Sequence, residues 1–284
     1  MILVTGATGH LGRLVVSHLL ARVPAAQVVA GVRNRSKAGP LDALGVQVRE
    51  LDYDRPATAE AAMKGIEKVL LISSSEFGNR VGQHQVVIDA AKRAGVKLLA
   101  YTGILHAETS KLALAADHQA TEKALRASGV PFVLLRNGWY HENYTGNLAT
   151  TLQHGVMLGA AGNGRVAPAA RVDFAEAAVA VLTTPGHEGR AYELAGDRAY
   201  TLHELAAEVS RVSGKPVTYQ NLPFSEYAAT LKSFGLPPAF AELLADSDVG
   251  IERGDLDDSS GTLRTLIGRP TTPFADAVAA ALRG

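Results

Sequence analysis

The segment Val4-Thr5-Gly6-Ala7-Thr8-Gly9-His10-Leu11-Gly12 constrains this chain more than any other, because it joins a short apolar run to the start of an apolar-periodic helix. In such a turn Gly6 allows the tight reversal, Gly9 lets the backbone approach a phosphate, and Gly12 lets the helix pack closely on the strand. The free N–H groups and positive end of the helix then face an anion. A dinucleotide pyrophosphate is the ligand this arrangement serves, so Gly6, Ala7, Thr8, Gly9, His10 and Leu11 are the first candidate cofactor-binding residues. A strand–helix turn without a ligand is the competing explanation.

The rest of the first half repeats the same alternation. Short apolar runs at 2–5, 27–32, 46–49, 68–72, 97–101 and 132–136 read as buried strands, with helical patterns between them at 11–21, 83–94 and 114–127. Continuous apolar strands separated by helices imply a parallel sheet covered on both faces, hence an α/β, Rossmann-type doubly wound fold. Beyond about Tyr140 the rhythm loosens. Helical patterns at 174–183, 202–213, 224–234 and 239–245 accompany strand candidates at 191–195 and 217–220, and the Asp-, Gly- and Ser-rich stretch 246–260 reads as a loop. The expected division is a nucleotide-binding domain over 1–140, its sheet completed by later segments including about 171–195, and a smaller, mainly helical C-terminal lobe over 141–284 that mostly binds substrate.

Composition narrows the function classes. With 47% apolar and 20% charged residues the chain is an ordinary globular one. A formal net charge of +0 argues against a dedicated nucleic-acid binder. No apolar run approaches the ~20 residues needed to span a bilayer. The apolar N-terminal run lacks a charged n-region and is not expected to be a signal peptide. Zero cysteines exclude a disulfide framework, a thiolate metal site and a cysteine nucleophile, and a cytoplasmic location is expected. The histidines show no metal-ligand spacing, so no metal is expected, and His84 and His118 read as surface or packing residues.

The second strand ends in Arg33-Asn34-Arg35-Ser36-Lys37. An NAD-specific site wants a carboxylate there to accept from the ribose 2′-hydroxyl, whereas an arginine accommodates a 2′-phosphate. Arg33 therefore favours NADPH, with Arg35 and Lys37 adding positive potential, although a solvated loop is also often basic.

The sequence Thr-Gly-Ala-Thr-Gly-x-Leu-Gly resembles the NmrA-like branch of the atypical short-chain dehydrogenase/reductase superfamily. Further stretches, at 68–76, 97–101, 136–143, 163–164 and 243–250, resemble its bacterial NADPH-dependent quinone oxidoreductases, with triphenylmethane-dye reductases as near relatives. That resemblance places Asp52 near the adenine and the Ser73-Ser74-Ser75 turn at the ligand edge of the sheet. It also implies that Asn137, Gly138, Trp139, Tyr140 and His141 lie on the nicotinamide side. Reductases of the superfamily commonly place Tyr-x-x-x-Lys on one helix face. Here Lys123 is present, but Gln119 stands where the tyrosine would be.

Loss of that tyrosine disfavours alcohol–ketone chemistry and suits a quinone or similar planar electrophile. Hydride addition to a quinone yields a delocalised quinol anion that water can protonate. Lys123, Asn137, Tyr140 and His141 are the candidate catalytic residues. The expected activity is NADPH-dependent two-electron quinone reduction. The alternatives are reduction of another electrophile, such as a triarylmethane dye, or a non-enzymatic NADP(H)-sensing regulator. A monomer or homodimer is expected.

Overall fold

Runs dominated by Val, Leu and Ile become the strands of one seven-stranded sheet in a computed structural model that describes residues 1–76 and 78–283. The strands are β1 (Ile2–Val4), β2 (Val28–Val32), β3 (Gln47–Glu50), β4 (Lys68–Leu71), β5 (Leu98–Ile104) and β6 (Phe132–Asn137). Further along come β7 (Val156–Gly159), β8 (Ala191–Leu194) and β9 (Thr218–Asn221). The large sheet runs β3-β2-β1-β4-β5-β6-β8. Its pairs from β3 through β6 are parallel, with Leu3 opposite both Val29 and Val69. β1 and β2 are buried at every residue, while β3, at the edge, is buried at none. The chain winds outward from β1 to β3 and then restarts beyond β1 at β4. That reversal creates a crevice at the carboxyl ends of the strands, where open α/β sheets bind ligands.

The chain divides into two compact units. The first comprises 1–104, 117–137 and 171–192, and contains β1 to β6 with their covering helices. The helix His10–Leu20 packs on Arg171–Thr183, and Pro56–Ala62 on Arg80–Ala94. Arg171–Thr183 has eight buried residues distributed around its circumference, as a helix covered on most sides must. Leu3, Val29, Val69, Leu71, Val87, Ile88 and Leu99 form the centre of one core.

The second unit comprises 105–116, 138–170 and 193–284. It is mainly helical, but β7 and β9 form a two-stranded parallel sheet within it, and β7 was not expected from the sequence. The stretch 246–260 is not a loop throughout, because the helix Pro238–Arg253 continues through Asp246, Asp248 and Gly250. Burial explains the difference. Asp248 accepts a hydrogen bond from the Ala160 N–H (2.8 Å), and a Cβ on Gly250 would lie 2.2 Å from Leu112 Cδ2. These polar and small residues serve close packing, which composition reads as loop. Among the described residues no helix is long and apolar enough to cross a membrane.

Candidate active site

The turn after β1 is closed by its own backbone. Gly6 adopts a φ of +56°, a conformation that a side chain would strain. The Ala7 N–H donates to Gly31 O (3.1 Å) and the Gly9 N–H to Gly6 O (2.9 Å), so both are already committed. The helix His10–Leu20 has Gly9 as its cap, with no side-chain capping bond and no acidic residue in its first turn. Its first intrahelical bond runs from the Arg13 N–H to Gly9 O. The N–H groups of His10, Leu11 and Gly12 thus have the open donor capacity and positive end that a phosphate recognises. Gly12 is needed for a different reason: its Cβ would lie 2.4 Å from Gly6 O and 2.8 Å from Ala7 Cα. The close approach is therefore to the turn itself and not to the strand.

A cleft of about 270 Å³ opens at the carboxyl ends of β1 to β4. It brings together Gly6, Thr8, Gly9, Arg33, Asp52, Ser73, Ser74 and Ser75. Ala7, His10 and Leu11 are outside its wall: Ala7 and Leu11 are buried, and His10 is exposed at the helix start. Tyr53, Asp54, Glu76 and Gln83 also line the cleft, and sequence reasoning missed all four. A usable signal existed for the first two, since they follow Asp52 directly at the same sheet edge.

Each wall residue is tied to its neighbours. Arg33 Nη1 lies 3.0 Å from Glu76 Oε1 in a solvent-exposed ion pair. Arg35 instead donates to the Val48 carbonyl (2.6 Å) and is not part of the wall. Asp52 accepts from the Asp54 N–H (3.1 Å) and from Arg55 Nε (3.0 Å), which fixes its loop. The Tyr53 hydroxyl donates to Thr5 Oγ1 (2.6 Å), and burial raises its pKa, an effect the bond to Thr5 opposes.

The serine turn is held from behind. The Ser73 N–H donates to Thr102 Oγ1 (2.9 Å), the Ser74 N–H to His84 Nε2 (2.9 Å), and the Ser74 hydroxyl to Gln83. Arg80 Nε donates to the Ser74 carbonyl at 2.7 Å. His84 Nε2 accepts, so Nδ1 carries the proton. Nδ1 then donates to Thr121 Oγ1 (2.9 Å), which itself donates to the Asp117 carbonyl (2.8 Å). Burial, reinforced by Arg80, pushes the His84 pKa down to about 3. His118, bonded to the Tyr101 hydroxyl at 2.7 Å, is lowered to about 3 by burial first and by Arg80 and His84 next. Both histidines are interior packing residues.

The helix Ala115–Ser128 presents two different faces. His118, Thr121 and Glu122 are buried, and Glu122 forms a two-pronged pair with buried Arg136 (2.8 and 2.6 Å). Gln119 and Lys123, four residues apart, are exposed on the other side. Asn137 ends β6 and is buried.

Gly138 to His141 belong to the second unit. The Gly138 N–H donates to Leu194 O (2.7 Å), and a Cβ there would lie 2.9 Å from that same oxygen. The His141 N–H donates to Ala169 O (2.9 Å) and the Ala169 N–H to Trp139 O (3.1 Å). Trp139 and Tyr140 are half-buried, whereas His141 is buried against Phe274. His141 Nε2 donates to the Thr272 carbonyl (2.9 Å).

Residues 6–185 match the model of a family described as NAD(P)H-binding. The chain belongs to that family. A family relative, quinone oxidoreductase 2 of Escherichia coli strain K12, is 56% identical over 278 residues, covering 98% of this chain and 97% of the relative. An NADPH-dependent quinone oxidoreductase from Escherichia coli, solved in complex with NADPH, superposes with a TM-score of 0.97 at 55% identity, over 99% of this chain and 100% of that one. The triphenylmethane reductase of Citrobacter sp., solved with NADP(H), gives a TM-score of 0.94 at 41% identity, over 99% and 100% of the two chains. The family fold is the α/β, Rossmann-like sheet expected from the sequence.

Proposed function

We propose that this protein is an NADPH-dependent quinone reductase that converts quinone, NADPH and one proton to quinol and NADP⁺. The observation that carries the cofactor half is the cleft, where an uncapped helix start and Arg33 stand at one sheet edge. The near-full-length identity to a quinone oxidoreductase carries the acceptor half.

In this reading Thr8, which lines the cleft, and the open N–H groups of His10 and Leu11 bind the pyrophosphate. Gly6 and Gly9 keep the backbone close, and Ala7 closes the turn. Arg33 pairs with the 2′-phosphate, and a guanidinium is suited to it because it presents fixed parallel donors. Asp52 shapes the adenine side. Ser73, Ser74 and Ser75 form the wall toward the ribose, with Ser75 better placed to donate because the Ser74 hydroxyl is bonded to Gln83 and the Ser73 hydroxyl to the Ser74 carbonyl.

Lys123 and the segment Asn137-Gly138-Trp139-Tyr140-His141 serve the nicotinamide and acceptor side. When bound, NADPH supplies the hydride. Gln119 cannot relay a proton as a tyrosine would. His141 Nε2 is bonded to the Thr272 carbonyl, which orients the ring. Water can protonate the delocalised quinol anion, and the side chains position the ring and exclude side reactions.

Steady-state NADPH oxidation with a panel of quinones tests the proposal. NADPH consumption should depend on added quinone and be far slower with NADH. Tight NADPH binding with no turnover on any quinone or dye would reject it.

A further inference from the structure

Arg33 is not solvated on its own at the mouth of the cleft. Its Nη1 lies 3.0 Å from Glu76 Oε1, and the two residues reach each other from the ends of β2 and β4, with both lining the same cleft. The backbone delivers Glu76 to this position. Its N–H donates to Ser74 Oγ (3.1 Å), and Ser74 is in turn held by Gln83, His84 and Arg80. Asp52 and Asp54 complete an acidic surround for the one arginine in the cleft wall. Both Asp52 oxygens already accept bonds from within their own loop, and Asp54 Oδ1 accepts from Gln83 Nε2 (2.9 Å). Glu76 is thus the carboxylate in direct contact with the guanidinium.

We infer that Glu76 is a specificity-determining residue that competes with the cofactor's 2′-phosphate for Arg33 and so limits the preference for NADPH over NADH. The inference rests on the assignment of Arg33 to the 2′-phosphate. A phosphate monoester carries roughly −1.5 to −2 charges near neutral pH, so a carboxylate bound to the same guanidinium repels it and competes for its donors. NADPH binding therefore works against the Arg33–Glu76 pair, whereas NADH, with a neutral 2′-hydroxyl, can leave that pair in place. Both side chains are more than half exposed, so solvent screening moderates the competition. The expected effect is about two- to tenfold in affinity, diminishing with salt.

Calorimetric titration of the full chain with 2′,5′-ADP, NADPH and NADH tests this on Glu76→Gln, Glu76→Ala and Arg33→Gln. The glutamate variants should tighten 2′,5′-ADP and NADPH by about two- to tenfold at low salt, leave NADH within error, and lose most of the gain at high salt. Unchanged NADPH-to-NADH discrimination in Glu76→Gln would overturn the inference, as would equal weakening of both cofactors. Arg33→Gln separates the two levels. If it weakens NADPH strongly while Glu76→Gln changes nothing, only the role of Glu76 fails. If it leaves NADPH affinity intact, the assignment of Arg33 fails, and the inference with it.

Discussion

Replacing Asp248 with Asn should make the protein more stable in a way that grows with pH. Asp248 sits on the helix Pro238–Arg253 with its carboxyl buried, and its one hydrogen bond among the described residues comes from the Ala160 N–H. Burial raises its pKa from 3.8 to about 7, against the smaller opposing effect of that bond. The neighbouring tyrosines, Tyr144, Tyr219 and Tyr227, are all raised by burial and stay neutral through this range. The unfolded chain ionises Asp248 above pH 3.8, while the folded chain holds the proton up to about pH 7. Folding therefore takes up a proton between those values, and stability falls as pH rises.

At about 1.4 kcal/mol per pH unit, the shift amounts to about 4 kcal/mol by pH 7. Asn keeps an oxygen for the Ala160 N–H and does not titrate, so it removes the penalty without emptying the site. Thermal unfolding of the two proteins at several pH values would show similar midpoints near pH 4. By pH 7.5 the variant should lead by roughly 5–10 °C. A difference that does not change with pH, or a variant less stable at pH 7.5, would refute the reasoning.

Other predictions concern the cleft. Arg33→Asp should reverse cofactor preference, lowering the NADPH-to-NADH ratio of kcat/KM by roughly 10–100-fold through loss of a charge-assisted pair; an unchanged ratio would remove Arg33 from the site. Gly12→Ala forces a Cβ to within 2.4 Å of Gly6 O, so it should cost about 1–3 kcal/mol in urea unfolding and abolish detectable NADPH binding. His84→Leu leaves the Ser74 N–H without its acceptor, a loss of about 1–3 kcal/mol, and should raise the KM for NADPH more than it lowers kcat. His84→Gln can both accept from Ser74 and donate to Thr121, and should restore most of that KM. Equal behaviour of the Leu and Gln variants would show that the bond plays no positioning part.

Much of the fold was legible because its signals are local. Alternating apolar runs and amphipathic helices lie close to the observed β1 to β6, and the glycine turn, Arg33 and Ser73 to Ser75 do occur along one cleft. These follow from chain direction: every parallel strand ends at the same sheet edge, so residues just after each strand collect there. Local pattern cannot say which donors are already committed. The Ala7 N–H is bonded to Gly31, and the Ser74 hydroxyl to Gln83, a residue nine positions further on in the next helix.

Nor could it recognise Glu76 as the partner of Arg33, 43 residues away. The same limit hid the helical turns through Asp248 and Gly250. Their polarity and small size suggest a loop until burial gives Asp248 a backbone donor and leaves Gly250 no room for a Cβ against Leu112. The sequence by itself determined the strand order's raw material and the glycine turn, because backbone geometry and apolar periodicity act over a few residues. Only the tertiary structure decided which polar groups are satisfied and which remain open to a ligand, because that depends on partners far apart along the chain.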